Sequence, residues 1–121
     1  TTERGLGRES VACTPSTCAA RRLIAPPVNN PWVQAYYDIG NMQKFAPSHE
    51  WVRILGKRSL KYDVKDWGKK NGFCPLGQGD VDWKKVRAEL AKIDFSGWVT
   101  REGSDGGDDK TAKLMDELLD L

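Results

Sequence analysis

Alternating apolar and polar positions divide the chain after residue 30 into short strands, each followed by a helix. Aromatic and β-branched residues predict a strand over residues 33–38, because such side chains suit a pleated, half-buried backbone. The same pattern predicts strands over residues 60–66 and 97–102. An acid ends each strand, and a loop containing glycine follows it. Three consecutive strand–helix units without hairpin turns predict parallel strands joined by right-handed crossovers.

Apolar stripes with a period of 3.6 residues predict the three helices that follow these strands. Ser48 is expected to cap the first helix and Gly56 to end it, Asp82 to cap the second, and the third to begin at about Asp109. The stripes are Trp51, Ile54 and Leu55; Val86, Leu90 and Ile93; and Leu114, Met115, Leu118 and Leu119. A polar connection over residues 67–79 is longer than usual, which often indicates function.

The first thirty residues show neither the two-residue alternation of a strand nor the 3.6-residue period of a helix. Arg, Ser, Thr, Pro and Gly dominate there, and Pro26 and Pro27 would end any helix begun before them. We therefore expect residues 1–30 to be a poorly ordered N-terminal segment and residues 31–121 to form the folded domain.

Composition limits the class of protein. The chain has 121 residues, 39% of them hydrophobic and 30% charged, which fits one globular domain. A net charge of +2 is too small to indicate a nucleic-acid surface, and no apolar run is long enough to cross a bilayer. Cys13, Cys18 and Cys74 lack the spacing of a metal site. Thiols in a reducing, cytoplasmic compartment are the simplest interpretation, although a bridge between Cys13 and Cys18 stays open.

Three acids, Asp38, Asp63 and Glu102, occupy equivalent positions at the strand tips. Strand alternation places each of them on the polar face of its strand, as at the mouth of a barrel. Carboxylates brought that close repel one another unless a cation or a proton lies between them. The pattern therefore predicts a site for Mg²⁺ or Mn²⁺.

Taken singly, a strand-end acid is more often a helix cap, a turn former or a solvated charge. Asp66, Asp80 and Asp82 are assigned to that group, and His49, the only histidine, to the protein surface. The metal-site hypothesis depends on three acids at equivalent tips.

Short motifs add a resemblance to this pattern. They are YYDIGN at 36–41, LGKR at 55–58, DVKD at 63–66, LGQGDVDW at 76–83 and GWVTRE at 97–102. In order and spacing they resemble the last three βα units of the sugar-phosphate isomerase/epimerase family, the xylose isomerase-like TIM barrels.

The resemblance implies roles for individual residues. Asp38 matches an aspartate ligand of a divalent metal, Glu102 matches a glutamate ligand, and Asp63 stands where that family usually has a histidine ligand. Asn41 and Lys65 match substrate-binding positions. A carboxylate in place of the histidine moves the expected metal preference toward hard ions such as Mg²⁺ and Mn²⁺.

The reaction that the resemblance implies is a proton transfer next to a sugar carbonyl, through an enediolate, with Glu102 as one catalytic acid/base. A closed barrel needs about 250 residues. We therefore expect an α/β fold comprising the C-terminal three βα units of a (β/α)₈ TIM barrel, incomplete and with parallel strands. Because a first glutamate is expected on an earlier strand, the isolated chain should be inactive.

Two other functions stay open. A non-catalytic remnant or partner-binding module is favoured by the acid at Asp63, while an endonuclease on the same barrel would need more histidines and a basic groove. The leading interpretation, an enzyme of carbohydrate metabolism, implies a small carbohydrate as partner, no nucleic acid and no membrane. Open sheet edges could also allow self-association.

Overall fold

The computed structural model describes residues 30–103 and 108–120. Three predictions lie outside the described residues: the poor order of residues 1–28, the boundary at residue 30, and the state of Cys13 and Cys18. The same holds for most of the loop predicted after the third strand.

The three predicted strands are present with a helix after each, and two further short strands follow the second of them. In chain order the strands and helices are β1 (Ala35–Asp38), α1 (Ile39–Gln43), α2 (Ser48–Leu55), β2 (Ser59–Val64), β3 (Asp66–Gly68), β4 (Gly72–Cys74), α3 (Trp83–Lys92), β5 (Trp98–Arg101) and α4 (Asp109–Leu119). A 3-10 turn, Gly56–Arg58, joins α2 to β2. None of the helices within the described ranges is long and apolar enough to span a bilayer.

The three predicted strands form one parallel sheet in the order β1, β2, β5. Asp38 lies opposite Asp63, and Asp63 lies opposite Thr100 on β5. Parallel strands whose connections carry helices confirm the predicted α/β fold, an incomplete TIM barrel represented by three parallel strands in the described residues. Because the strands run the same way, their carboxyl ends meet at one rim.

The long connection is not irregular, and the expectation of no hairpin turns is wrong for it. β3 and β4 pair antiparallel, with Asp66 opposite Cys74 and Gly68 opposite Gly72. Each of these strands has three residues, which is too short for a period of two to be visible in the sequence. The hairpin carries Phe73 beside the rim.

One face of the sheet is covered by helices and forms the core. Tyr37, Tyr62 and Val64 are buried there, and the Tyr62 ring makes edge-to-face contacts with Tyr37 at 5.8 Å and with Phe95 at 4.9 Å between centroids. The buried helical residues packed on them are Trp51, Val52, Leu55, Val86, Leu90 and Leu119.

The opposite face of the sheet, which would line the inside of a barrel, is open to solvent. Tyr36 on β1 is 60% exposed and Trp98 on β5 is 80% exposed. The rim acids lie on this open face, as strand alternation predicted.

The helix ends match the sequence in three of four cases, and Gly56 ends α2 as predicted. Asp82 accepts a hydrogen bond from the Lys85 amide, and α4 begins at Asp109 behind a capping Asp108. The expected cap at Ser48 is wrong. Ser48 is already helical, and its hydroxyl instead donates to the Ile39 carbonyl at 2.5 Å, which ties α2 to α1.

Candidate metal centre

Asp38 is the last residue of β1 and also the cap of α1. Its Oδ1 accepts a hydrogen bond from the Asn41 amide at 2.8 Å, and its Oδ2 accepts one from Asn41 Nδ2 at 2.6 Å. Gly40 lets this turn pack against Lys65, the residue after β2, because a Cβ there would lie 2.7 Å from the Lys65 carbonyl oxygen. Asp38 therefore caps α1, as expected of a single strand-end acid, and also lies at the rim.

Asp63 lies next to Asp38 across the β1–β2 pair, with its side chain 13% exposed. The Tyr36 hydroxyl donates a short hydrogen bond to Asp63 Oδ2. Lys61 Nζ lies 4.0 Å from the other oxygen, Oδ1. Both neighbours stand on the same open face of the sheet.

Glu102 follows the last residue of β5 directly. Its amide donates to the Val64 carbonyl at 3.0 Å, which continues the β2–β5 pairing by one residue. Its side chain is 51% exposed, and Oε2 accepts from Lys65 Nζ at 3.2 Å. The sheet thus holds the backbone of Glu102, and Lys65 orients its carboxylate.

The three rim acids, Asp38, Asp63 and Glu102, come together as the sequence predicted. Each offers one carboxylate oxygen, and these three oxygens all lie within 4.8 Å of one another. Three negative charges at this separation repel unless something positive or a proton intervenes.

Titration of the rim reflects this crowding. Burial raises the pKa of Asp38 above its ordinary value, and the neighbouring Glu102 carboxylate raises it further. The interaction with Asp38, followed by the Lys65 ammonium, lowers the pKa of Glu102. Of the pair Asp38 and Glu102, Asp38 is therefore the acid that holds a proton more readily.

The donor set fits a divalent metal ion. Three carboxylate oxygens at one rim are the hard ligands that Mg²⁺ and Mn²⁺ prefer, and a cation would relieve the repulsion among the three carboxylates. Soft ligands are not part of this cluster. That the three acids act as metal ligands stays a prediction.

The two residues expected to bind substrate, Asn41 and Lys65, contact the acids directly. Asn41 donates to Asp38, and Lys65 donates to Glu102. Lys65 also places its ammonium 4.3 Å from the centre of the Phe73 ring, on whose ring Lys44 makes a similar contact at 4.2 Å. Contact of Asn41 or Lys65 with a substrate stays a prediction.

A groove of about 120 Å³ opens beside the rim, between the β3–β4 hairpin and the end of β5. Its walls include Lys65, Phe73, Arg101 and Glu102. Lys65 and Glu102 thus face a space next to the carboxylates, where a small polar molecule could enter.

Sequence reasoning did not find two parts of this arrangement. Tyr36 shares a face with Asp38 in the strand pattern, but its contact with Asp63 depends on the register between strands. Asp66 is not a cap or a solvated charge but is fully buried, where it accepts from the amides of Trp67 and Gly77 and from Trp83 Nε1. Its three donors lie at residues 67, 77 and 83, so no local sequence pattern predicts these hydrogen bonds. Asp82, by contrast, caps α3 as predicted, and Asp80 is exposed and accepts a hydrogen bond from the Lys69 amide.

Comparison with known proteins identifies the architecture. The family model for the xylose isomerase-like TIM barrel matches residues 16–121. The match begins before residue 31, where the domain boundary was predicted, and since residues 1–29 lie outside the described ranges that boundary stays a prediction. No curated protein matches the chain.

Proposed function

The chain belongs to the xylose isomerase-like TIM barrel family, and on this premise we propose that it supplies the C-terminal part of a metal-dependent sugar or sugar-phosphate isomerase or epimerase. One observation carries the proposal: Asp38, Asp63 and Glu102 present three oxygens within 4.8 Å of one another at the rim where such barrels do their chemistry.

Asp38, Asp63 and Glu102 would hold the ion, and Mn²⁺ or Mg²⁺ suits their oxygen ligands. When bound, a divalent ion polarises the carbonyl and hydroxyl oxygens of a sugar and so makes the neighbouring C–H bond more acidic. The substrate class that fits is a small carbohydrate with adjacent carbonyl and hydroxyl groups.

Glu102 moves the proton. Lys65 at 3.2 Å helps to keep its carboxylate ionised, so that Glu102 can accept the proton from the carbon next to the carbonyl. The half-exposed side chain faces the groove, where the substrate would lie. Asn41 and Lys65, already fixed on the acids, are placed to orient hydroxyl groups of the substrate.

A complete reaction needs a second acid/base on the other side of the carbon. Within residues 30–103 and 108–120 the remaining glutamates, Glu50, Glu89 and Glu117, lie on helices rather than at the rim. We therefore expect the isolated chain to be inactive and the second glutamate to come from an earlier strand of the barrel.

The test is proton exchange in a completed barrel. The chain is joined to the preceding βα units of an isomerase of the same family, loaded with Mn²⁺, and incubated in D₂O with a panel of ketoses and ketose phosphates. Deuterium incorporation next to the carbonyl is followed by NMR. Glu102→Gln keeps the shape but cannot act as a base, so we expect kcat to fall by a factor on the order of 10² or more.

Glu117→Gln, on the exposed side of α4, is the matched control and should exchange deuterium like the unmodified barrel. Near-normal kcat in Glu102→Gln would contradict the assigned role of Glu102. Absence of exchange with every substrate, in a barrel that folds and binds Mn²⁺, would contradict the isomerase proposal.

The exposed inner face supports a second candidate, a non-catalytic partner-binding module. Tyr36 and Trp98 present large apolar surfaces there. A module of this kind would tolerate loss of the rim carboxylates. Two results together would favour it over the enzyme: the unmodified chain has no metal affinity, and Glu102→Gln binds the partner as well as the unmodified chain does.

A further inference from the structure

Tyr36 stands one step below the acids on the open face of the sheet. It lies opposite Lys61 in the parallel pairing of β1 with β2, and Asp63 is two residues further along β2 on the same face. The Tyr36 hydroxyl therefore reaches Asp63 Oδ2 across the strand pair, and Lys61 Nζ reaches the Tyr36 hydroxyl at 3.1 Å.

The direction of this network follows from its chemistry. An ammonium can only donate, so the Tyr36 oxygen accepts from Lys61, and the single phenolic proton is left for Asp63. The Lys61 nitrogen also lies 4.4 Å from the centre of the Tyr36 ring, which holds the two side chains together. Lys61 thus holds the Tyr36 side chain in place, and the Tyr36 hydroxyl donates to Asp63.

This donation has a consequence for Asp63 as a ligand. A carboxylate can rotate and can bind an ion through one oxygen or both. The hydrogen bond from Tyr36 to Oδ2 restricts rotation of the Asp63 carboxylate, while Oδ1 lies 4.0 Å from Lys61 Nζ. One hydrogen-bonded oxygen thus sets the direction in which the carboxylate faces the other two acids. A hydrogen bond to a ligand's second atom is the usual way in which a protein orients a metal ligand.

We propose that Tyr36 is the positioning residue of Asp63, so that a carboxylate held by a phenol serves as the third ligand at a position where the resemblance places a histidine. The inference rests on the proposed metal centre and names a residue that the function did not require. Tyr36 acts through Asp63 and does not itself bind the ion.

The experiment is a Mn²⁺ titration of the full chain, with unbound Mn²⁺ followed by its paramagnetic resonance signal. Tyr36→Phe removes only the hydroxyl from a side chain that is 60% exposed, so the core is not disturbed. We expect this variant to bind Mn²⁺ about 10-fold more weakly or worse. Trp98→Phe, an aromatic change on the same face, is the matched control and should leave Mn²⁺ affinity unchanged.

A second pair of variants separates positioning from general support of the fold. In an Asp63→Ala background no carboxylate remains to be oriented, so adding Tyr36→Phe should cause no further loss of Mn²⁺ affinity. An equal loss in both backgrounds would assign Tyr36 a merely structural role and overturn the inference.

Failure of the inference and failure of the proposed function give different results. If the unmodified chain and Tyr36→Phe bind Mn²⁺ equally well, the role of Tyr36 is overturned while the metal centre stands. If the unmodified chain shows no saturable Mn²⁺ binding, the metal centre is overturned and the positioning role falls with it.

Discussion

Asp66 and the three rim acids have different surroundings, although Asp66 follows the rim acid Asp63 by only three residues. Asp66 is fully buried, and three N–H donors, from Trp67, Gly77 and Trp83, point at its two oxygens. Asp38, Asp63 and Glu102 also accept hydrogen bonds, but in addition each brings one oxygen within 4.8 Å of the other two.

The difference separates two uses of a carboxylate. An acid whose oxygens are filled by donors of the same chain stabilises that chain, because the charge is compensated within the fold. Acids whose oxygens also converge on one another repel, and the donors that the chain itself supplies at the rim leave part of this repulsion for a cation to offset. Asp66 is therefore assigned to stability and the rim to binding, and variants of each should show separate effects.

The largest effect is expected for Asp66→Asn. The amide replaces one acceptor oxygen by an NH₂ group that faces a donor, so we expect the free energy of unfolding to fall by about 3 kcal/mol. Urea unfolding followed by tryptophan fluorescence measures it. Asp80→Asn is the control, since Asp80 is exposed and accepts from the Lys69 amide, and should change stability far less. Equal effects would show that burial of Asp66 contributes nothing special.

Gly79→Ala tests the same buried contacts of Asp66 by crowding its carboxylate instead of changing it. A Cβ on Gly79 would lie 2.1 Å from Asp66 Oδ1 and 2.7 Å from the Trp67 carbonyl carbon, so the hairpin must shift. We expect a loss of about 2 kcal/mol in the free energy of unfolding. At Gly68, in the same hairpin, the nearest atom would be 3.4 Å from the new Cβ, and Gly68→Ala should therefore cost less. A tolerated Gly79→Ala would mean that the Asp66 contacts can rearrange freely.

A smaller effect, below about 1 kcal/mol because the site is partly solvated, is expected for Asp38→Asn without metal. Burial raises the pKa of Asp38 above 3.8, so its contribution to stability is greatest at low pH and is lost as pH rises through the raised value. Asparagine does not titrate, so the stability of the variant relative to the unmodified chain should increase with pH.

Urea unfolding between pH 4 and pH 7 measures this slope. Asp108→Asn should show a slope of the opposite sign, because hydrogen bonds from Thr111 lower the pKa of Asp108. The stability of Asp108→Asn relative to the unmodified chain should therefore fall as pH rises. The same slope for both variants would contradict the raised pKa of Asp38 at the rim.

The smallest effect concerns association through the open face and edges of the sheet. β1 and β5 are edge strands among the described residues, and Trp98 exposes 80% of its surface beside them. We expect weak, concentration-dependent dimers in sedimentation velocity, reduced by Trp98→Lys. Unchanged sedimentation in that variant would place any self-association elsewhere.

The sequence predicted the parts of the fold that repeat. Alternation located β1, β2 and β5 and placed the rim acids on one face, although residues 33 and 34 lie before the paired part of β1. Local patterns cannot show where pairing begins or which residues face each other. The irregularity between Ala35 and Tyr36 sets Tyr36 opposite Lys61, and the contact with Asp63 follows only from that register.

Buried polar contacts were beyond prediction for a related reason. The donors to Asp66 come from three separate stretches, and the Ser48 hydroxyl bonds to Ile39 rather than to its own helix. In both cases tertiary packing supplied a partner that neighbouring sequence did not contain.

The most direct test compares Mn²⁺ affinity in Glu102→Gln and Asp66→Asn, measured on the full chain under conditions where both are folded. Saturable binding of one ion by the unmodified chain is expected, weakened at least about 10-fold by Glu102→Gln and retained by Asp66→Asn. Binding that survives Glu102→Gln unchanged, or that is lost equally in both variants, would contradict the assignment of the rim acids as the metal centre.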